Sequence, residues 1–281
     1  MITIIFGVPR VGKTCYMTHI LTETAFDRER NRAMRTAITD KINGGFERLT
    51  IPQHCVSANY DLTMKKFGYS PRYNRLINPY RLGYANEHVK THFNFPYEAI
   101  GIDEAQKYLN SRAYANFPEW QSRWYEQHGH NHLDIYLAAQ RPKLIDVNIR
   151  ELARFEEIVR LDKFYDRNGR IKRLKWVIRE IDNCAALEAY MESGKKDRSL
   201  YALKTVTADY NVFDCYKSTS CEPEFYRGHM SENFDLKISE PIEDSYKGYI
   251  KYQKEHEETM PKGYLKKSGG SKNDKGEKGI A

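Results

Sequence analysis

The chain has 281 residues, enough to bury a sizeable core as one large domain or two smaller ones. Charged residues make up 30% of it and its mean hydropathy is −0.75. Its longest apolar stretches, such as Leu133 to Gln140, fall far short of the ~20 residues that cross a bilayer, so a membrane-spanning protein is excluded and a cytoplasmic one expected. A formal net charge of +7 suits a polyanionic partner such as DNA without requiring one. The cysteines at 15, 55, 184, 215 and 221 are odd in number and never spaced CxxC. They read as reduced, mostly buried thiols, not as a disulfide framework or a metal site.

Ile2 to Phe6 is a short β-branched run, expected to be a first strand and not a leader, and it feeds Gly7-Val8-Pro9-Arg10-Val11-Gly12-Lys13-Thr14. GxxxxGK[ST] between a strand and a helix is a phosphate-binding loop. Gly7 and Gly12 let the main chain wrap closely, so that consecutive N–H groups can face phosphate oxygens. The helix that begins there adds the positive end of its dipole. Lys13 is placed to reach the β- and γ-phosphates and Thr14 to offer a hydroxyl to Mg2+. The nucleotide-binding segment is therefore expected to run from Gly7 to Cys15, with a nucleoside triphosphate as ligand.

A helix is predicted from about Lys13 to Ile42, on an apolar stripe of Met17, Ile20, Leu21, Thr24 and Ala25. The run Asp27-Arg-Glu-Arg-Asn-Arg32 reads as its solvated face, and Gly44-Gly45 as its end. A second strand is predicted at His54 to Tyr60. Between 63 and 96, Lys65, Lys66, Arg72, Arg75 and Arg81 alternate with Phe67, Tyr69, Tyr73, Tyr80 and Tyr84. An insertion with packed tyrosines and water-facing cations is the simpler reading, a surface tracking a nucleic-acid strand the other.

Tyr97-Glu-Ala-Ile-Gly-Ile-Asp103-Glu104-Ala-Gln106 reads as a buried strand ending in two carboxylates, and ligand chemistry in parallel sheets collects at such strand ends. Asp103 would hold Mg2+ through a water, and Glu104 would orient and deprotonate the attacking water. Gly101 inside this strand suggests the close approach of another backbone. A strand between the phosphate loop and the acidic strand, with glutamate beside aspartate, suits the additional-strand, catalytic-glutamate division of P-loop proteins. Leu133 to Gln140 is the next buried strand, and Gln140 at its end is a candidate γ-phosphate sensor. His128, His130 and His132 alternate as they would on one strand face, though exposed loop histidines are the simpler reading.

Glu157 to Tyr165, Asp166-Arg-Asn-Gly169 and Ile171 to Ile181 read as a long β-hairpin, with Asn-Gly supplying the positive φ of its turn. A helix near Ala185 to Glu192 and strands at Leu200 to Val206 and Tyr210 to Tyr216 follow. Beyond Ser218 the core signal fades. The expected fold class is α/β: a P-loop NTPase with a central, mainly parallel sheet flanked by helices over 1–220, plus the hairpin extension. A partly ordered extension is expected over 221–261, and a disordered tail over 262–281, where six lysines stand against Asp274 and Glu277.

These residues together resemble the zonular occludens toxin (Zot) domain, the ATPase domain of filamentous-phage assembly proteins. The resemblance rests on Gly7 to Thr14, Ser57-Ala-Asn-Tyr-Asp61, Ile102-Asp-Glu-Ala-Gln106 followed by Arg112, Leu133 to Pro142 followed by Ile145-Asp-Val-Asn-Ile-Arg150, and Val212 to Ser218. It implies kinship with FtsK/HerA-like ring motors, in which a neighbouring subunit brings an arginine to the γ-phosphate; Arg112, Arg141 and Arg150 are candidates, with Arg150 favoured by its place in the matched stretch. Arg10 departs from relatives that carry glycine there. Phage-extruding members carry a membrane span after the ATPase domain; the polar, lysine-rich residues that follow it here are not expected to form one. The expectation is that either a separate membrane subunit recruits this chain or it serves another step such as DNA packaging. The toxin activity that named the family has no support in these residues.

The reading is an oligomeric, Mg2+-dependent ATPase of a phage or mobile element, with Lys13, Glu104, Gln140 and Arg150 catalytic and Thr14 and Asp103 at the metal. It would power virion assembly or viral DNA movement. ATP is preferred because no Asn-Lys-x-Asp base-reading motif is present. The alternatives are a DNA-packaging or conjugative translocase and a nucleotide-gated scaffold. Expected partners are other copies of the chain, DNA, and phage structural or membrane assembly proteins, met in the host bacterial cytoplasm or at the inner face of its membrane.

Overall fold

Ile2–Phe6 forms β1, buried along its whole length, as a continuous apolar run inside a parallel sheet should be. In the computed structural model, which describes residues 1–43, 54–62, 74–77, 79–82, 96–111, 119–209, 212, 215 and 216, seven more strands complete the sheet. They are β2 (Val56–Ala58), β3 (Arg75–Leu76), β4 (Ala99–Ile102), β5 (Asp134–Ala139), β6 (Ala153–Tyr165), β7 (Ile171–Ile181) and β8 (Ala202–Asp209). The order across the sheet is β3-β2-β4-β5-β1-β6-β7-β8. All pairings from β3 to β6 are parallel, and β7 and β8 add an antiparallel edge.

Side chains alternate across β1. Ile2, Ile4 and Phe6 join a core with Tyr125, Phe155 and Tyr190, covered by α3 (Glu119–Glu126), α4 (Val147–Glu151) and α5 (Cys184–Glu192). Ile5 joins Tyr16, Met17 and Leu21 of α1 (Lys13–Ala25) on the other face, with Ile158, Leu174 and Trp176. The result is a three-layer α/β/α arrangement with the mainly parallel sheet at its centre.

The structure corrects the expected single helix over 13–42. The chain breaks at Phe26 and Asp27, and α2 (Arg28–Asn43) starts afresh. Asp27 Oδ1 accepts the backbone N–H groups of Glu29 and Arg30 at 3.0 and 3.1 Å, capping the new helix in place of continuing the old one. Nor is the charged run all solvated. Arg30 donates from Nε to the Tyr97 carbonyl at 2.6 Å and from Nη1 to Asp134 at 2.6 Å, pinning α2 to the starts of β4 and β5. Asn31 accepts the Cys55 N–H at 2.9 Å and donates to the Ala25 carbonyl at 2.8 Å.

The strand that separates the phosphate-loop strand from the acidic strand is β5, not the second strand of the chain. β2 lies on the outer side of β4. The glycine of the acidic strand makes room for side chains, not for a backbone: a Cβ on Gly101 would stand 2.5 Å from Leu21 Cδ1 and 3.5 Å from Met17 Sδ. The hairpin forms as expected, except that β6 starts at Ala153. Of the two strands expected over 200–216, the first is Ala202–Asp209; most of the second, at 210, 211, 213 and 214, lies outside the described residues, and Val212, Cys215 and Tyr216 pack in the same core as α1. Gly44-Gly45, the 63–73 and 83–95 parts of the basic-aromatic stretch, Arg112 and everything after Tyr216 lie outside the described residues.

Candidate nucleotide site

The loop from Gly7 to Gly12 leaves the carboxyl end of β1 and turns into α1. Its two outer glycines have separate reasons to be glycine. Gly7 has φ +152°, and a Cβ there would lie 2.7 Å from the Ile158 carbonyl oxygen of β6. Gly12 has φ +88°, and a Cβ would lie 2.8 Å from Leu161 Cδ2 and 3.3 Å from Trp176 Nε1. The first strand of the hairpin therefore presses directly on the loop. Arg10 also takes a left-handed backbone, φ 65°, a conformation that costs a side-chain-bearing residue ~1 kcal/mol. That explains why glycine suits this position in relatives.

Val8, Pro9 and Arg10 stand exposed and Val11 is tucked in. Cys15, in the first turn of α1, is buried. Lys13 lies back along the loop, donating from Nζ to the carbonyls of Gly7 and Val8 at 3.1 and 3.2 Å. Partial burial lowers the pKa of its ammonium below the ordinary 10.5, opposed by the charges of Glu104 and Asp103. Those two acids are thus the electrostatic partners of Lys13 even though they lie some ninety positions away in the chain.

The acidic pair sits at the carboxyl end of β4 as expected. Thr14 Oγ1 donates to Asp103 Oδ2 at 2.8 Å. Asp103 is held by its main chain as well: its N–H donates to Asn59 Oδ1 at 2.8 Å and its carbonyl accepts from Asn59 Nδ2 at 3.0 Å. Asn59, wholly buried just past β2, is a site residue that the sequence marks only as part of Ser57 to Asp61. An asparagine at a strand end has no pattern that names its partner 44 residues on. Glu104 adopts a left-handed backbone, φ 48°; its N–H donates to Asp103 Oδ1 at 3.0 Å, and its carboxylate accepts from Gln106 Nε2.

The register places Gln140 beside these groups. Ala139 pairs with Phe6 and Leu137 with Ile102, so Gln140 follows β5 at the same edge, between Gly7 and Asp103, and is exposed. Arg141 is exposed next to it. Arg150 lies elsewhere, just before β6, whose first residue Ala153 pairs with Ile2 at the opposite edge of the sheet. Its Nε donates to the Ile145 carbonyl at 3.1 Å and its Nη1 approaches Cys184 Sγ at 3.9 Å. Within its own chain it is not brought to the loop.

The three alternating histidines are not on a strand. They occupy a 3-10 turn and its exit (His128–Asn131, then His132). His128 Nδ1 contacts the Tyr125 carbonyl at 2.6 Å, while His132 stacks on Tyr97 at 4.6 Å.

No motif in the sequence points to the ion cluster around the buried Glu157 beside β1. Glu157, paired in register with Phe6, is joined by Arg179 Nη1 at 3.2 Å and by Lys195 and Tyr190. Alternation along β6 breaks here, with Glu156 and Glu157 both buried, and that departure from period two was its available signal.

A phosphate loop between β1 and α1, and an acidic strand end with β5 between it and β1, make this a P-loop NTPase fold. The chain belongs to the zonular occludens toxin (Zot) family, whose model matches residues 1–221. Among solved structures it is similar to the N-terminal domain of zonular occludens toxin from Neisseria meningitidis, at 23% identity, covering 77% of this chain and 98% of that one with a TM-score of 0.43. It is also similar to the genome packaging NTPase B204 of Sulfolobus turreted icosahedral virus 2, at 12% identity over 73% and 94% of the two chains with a TM-score of 0.35. The DNA-packaging ATPase B204 of Sulfolobus turreted icosahedral virus is a third, at 14% identity over 75% and 92% with a TM-score of 0.36. No curated protein matches the chain. No helix among the described residues is long and apolar enough to cross a membrane.

Proposed function

We propose that this chain is a Mg2+-dependent ATPase of a phage or related mobile element, acting as a homo-oligomer in virion assembly or in the movement of viral DNA. Membership of the Zot family supports the phage setting. The observation that carries the chemistry is the contact of Thr14 with Asp103 at 2.8 Å, which unites the helix end of the phosphate loop with the acidic strand.

A hydroxyl and a carboxylate held together form an all-oxygen pair suited to Mg2+. When bound, that ion neutralises charge on the β- and γ-phosphate oxygens. The protein's own groups do the rest. Backbone N–H groups of the loop receive the phosphates, and Lys13 exchanges its loop carbonyls for phosphate oxygens. Glu104 orients the attacking water and takes its proton, with Gln106 holding the carboxylate in place. Gln140 stands at the same edge to contact the γ-phosphate. An arginine for the transition state comes from Arg141 at that edge or, across a subunit boundary, from Arg150 of a neighbouring copy.

The test is steady-state ATP hydrolysis by wild type, Lys13→Ala and Glu104→Gln, with nucleotide binding measured in parallel. Lys13→Ala should lose binding, while Glu104→Gln should keep it and lose turnover by about 10²-fold or more. Equal turnover in wild type and Glu104→Gln would remove the catalytic assignment.

A further inference from the structure

The β6–β7 hairpin is far longer than the sheet that carries it. Phe6, the last residue before the phosphate loop, pairs with Glu157, yet β6 continues to Tyr165. At about 3.3 Å per residue, the remaining eight positions make roughly 26 Å of further strand, which runs beside the phosphate loop at Ile158 and Leu161 and continues to the turn. β7 pairs with it back from Ile171, and the turn is closed by Asp166, whose Oδ1 accepts the N–H groups of Asn168 and Arg170, each at 2.8 Å.

Leu161, Ile171 and Leu174 pack this ribbon on the core beside α1, while the other side chains near its turn are exposed. Phe164 and Tyr165 are 48% and 60% exposed, on either side of an irregularity in the pairing of β6 with β7. Around them stand Lys163, Arg167, Arg170, Lys172, Arg173 and Lys175. None of the six makes a side-chain hydrogen bond or ion pair among the described residues. The nearby acids do not cancel them. Asp162 is taken by Arg160 at 2.9 Å, Asp166 caps the turn, and Asp209 faces Arg173 alone across β7 and β8. Phe164 is opposite Arg173, so ring and guanidinium share one face.

We propose that the end of this hairpin docks single-stranded nucleic acid, the cations along the phosphate backbone and Phe164 and Tyr165 stacked on unpaired bases. Cations alone would accept any polyanion. Exposed aromatic rings among them favour a ligand with free π-faces, which duplex DNA and acidic proteins do not offer. Leu161 and Trp176, lower on the same ribbon, are the side chains against Gly12 of the phosphate loop. The docking surface and the nucleotide site thus share one continuous element. The proposal deepens the reading above by naming the polymer that is moved. Binding is read without nucleotide and hydrolysis without DNA, so either can fail alone.

The experiment is fluorescence anisotropy of a labelled oligothymidylate with the full chain at low and high salt, against Arg167→Ala/Arg170→Ala and Phe164→Ala/Tyr165→Ala. All four residues are exposed, and binding of a fluorescent ATP analogue serves as the control for folding. The arginine variant should lose about tenfold in affinity and flatten the salt dependence by roughly 0.7 in log–log slope per phosphate contact removed. The aromatic variant should lose about tenfold at unchanged slope. Unchanged affinity in both variants, displacement of the oligonucleotide by polyglutamate as readily as by itself, or duplex bound as tightly as single strand would each overturn the proposal.

Discussion

Thr14, at the start of α1, donates its hydroxyl to Asp103, the residue after β4, at 2.8 Å, although 89 positions separate them in the chain. β1 and β4 are not neighbours; β5 lies between them, and the contact is made over its end. Removing either partner should abolish a shared function and not two separate ones. Thr14→Ala and Asp103→Ala are each expected to reduce ATP turnover by about 10²-fold, with the double variant little worse than either single. A double-mutant cycle on kcat measures this, and fully additive losses would show that the two oxygens act independently.

Asn59 holds Asp103 by both of its main-chain polar groups. Asn59→Ala leaves a buried N–H and carbonyl without partners and should cost about 1–3 kcal/mol of stability. It should also lower kcat more than it raises KM, because the carboxylate is displaced while the phosphate loop is untouched. Asn59→Asp is the sharper variant: it keeps an acceptor for the Asp103 N–H, loses the donor, and sets a second negative charge beside the acid. Denaturant unfolding together with steady-state kinetics separates the two effects.

Gly101 faces α1 so closely that a methyl group would meet Leu21 Cδ1 at 2.5 Å. Gly101→Ala should destabilise the protein by about 1–3 kcal/mol through overpacking. Because the obstructing atom is a side-chain end, shortening it should restore much of the loss, and Gly101→Ala/Leu21→Val is expected to be more stable than Gly101→Ala alone. Thermal or urea unfolding of the three variants decides this; no rescue would place the strain in the backbone.

The cluster around Glu157 sets an acid limit on stability. Burial drives its carboxyl pKa upward, but hydrogen bonds from Lys195, Tyr190 and Arg179 and the charge of Lys195 outweigh it, holding the group below its ordinary 4.5. Asp134 behaves alike: burial is outweighed by Arg30 and the chain's amino terminus, and its pKa lies below the ordinary 3.8. A carboxylate with a depressed folded-state pKa stabilises the fold fully above its unfolded value and loses that contribution as pH falls through the folded one. Stability should therefore begin to fall below about pH 4.5. Glu157→Gln should be about 1–3 kcal/mol less stable at neutral pH, with the gap to wild type closing as the medium is acidified. A gap independent of pH would mean that packing, not charge, is the contribution of Glu157.

The local backbone decides much of what is legible in this chain. Gly7, Gly12 and the β-branched run before them specify a strand, a tight anion-binding loop and a helix start through residues adjacent in sequence. Ala99 to Ile102 ending in Asp103-Glu104, and Asn168-Gly169 between two alternating runs, are equally local, so the acidic strand and the hairpin could be read directly. Sheet order could not. Which strand separates β1 from β4 depends on how crossovers pack, and two apolar runs such as Val56–Ala58 and Asp134–Ala139 carry no mark that puts the second, not the first, between them. Side-chain partnerships at long separation were equally out of reach. Asn59 clamps Asp103, Arg30 pins the starts of β4 and β5, and Leu161 and Trp176 lean on Gly12 because burial leaves each polar group few partners and each gap few shapes. Composition and spacing specify the elements and the chemistry they can host, whereas these contacts exist only once the sheet has assembled and the layers have closed on it.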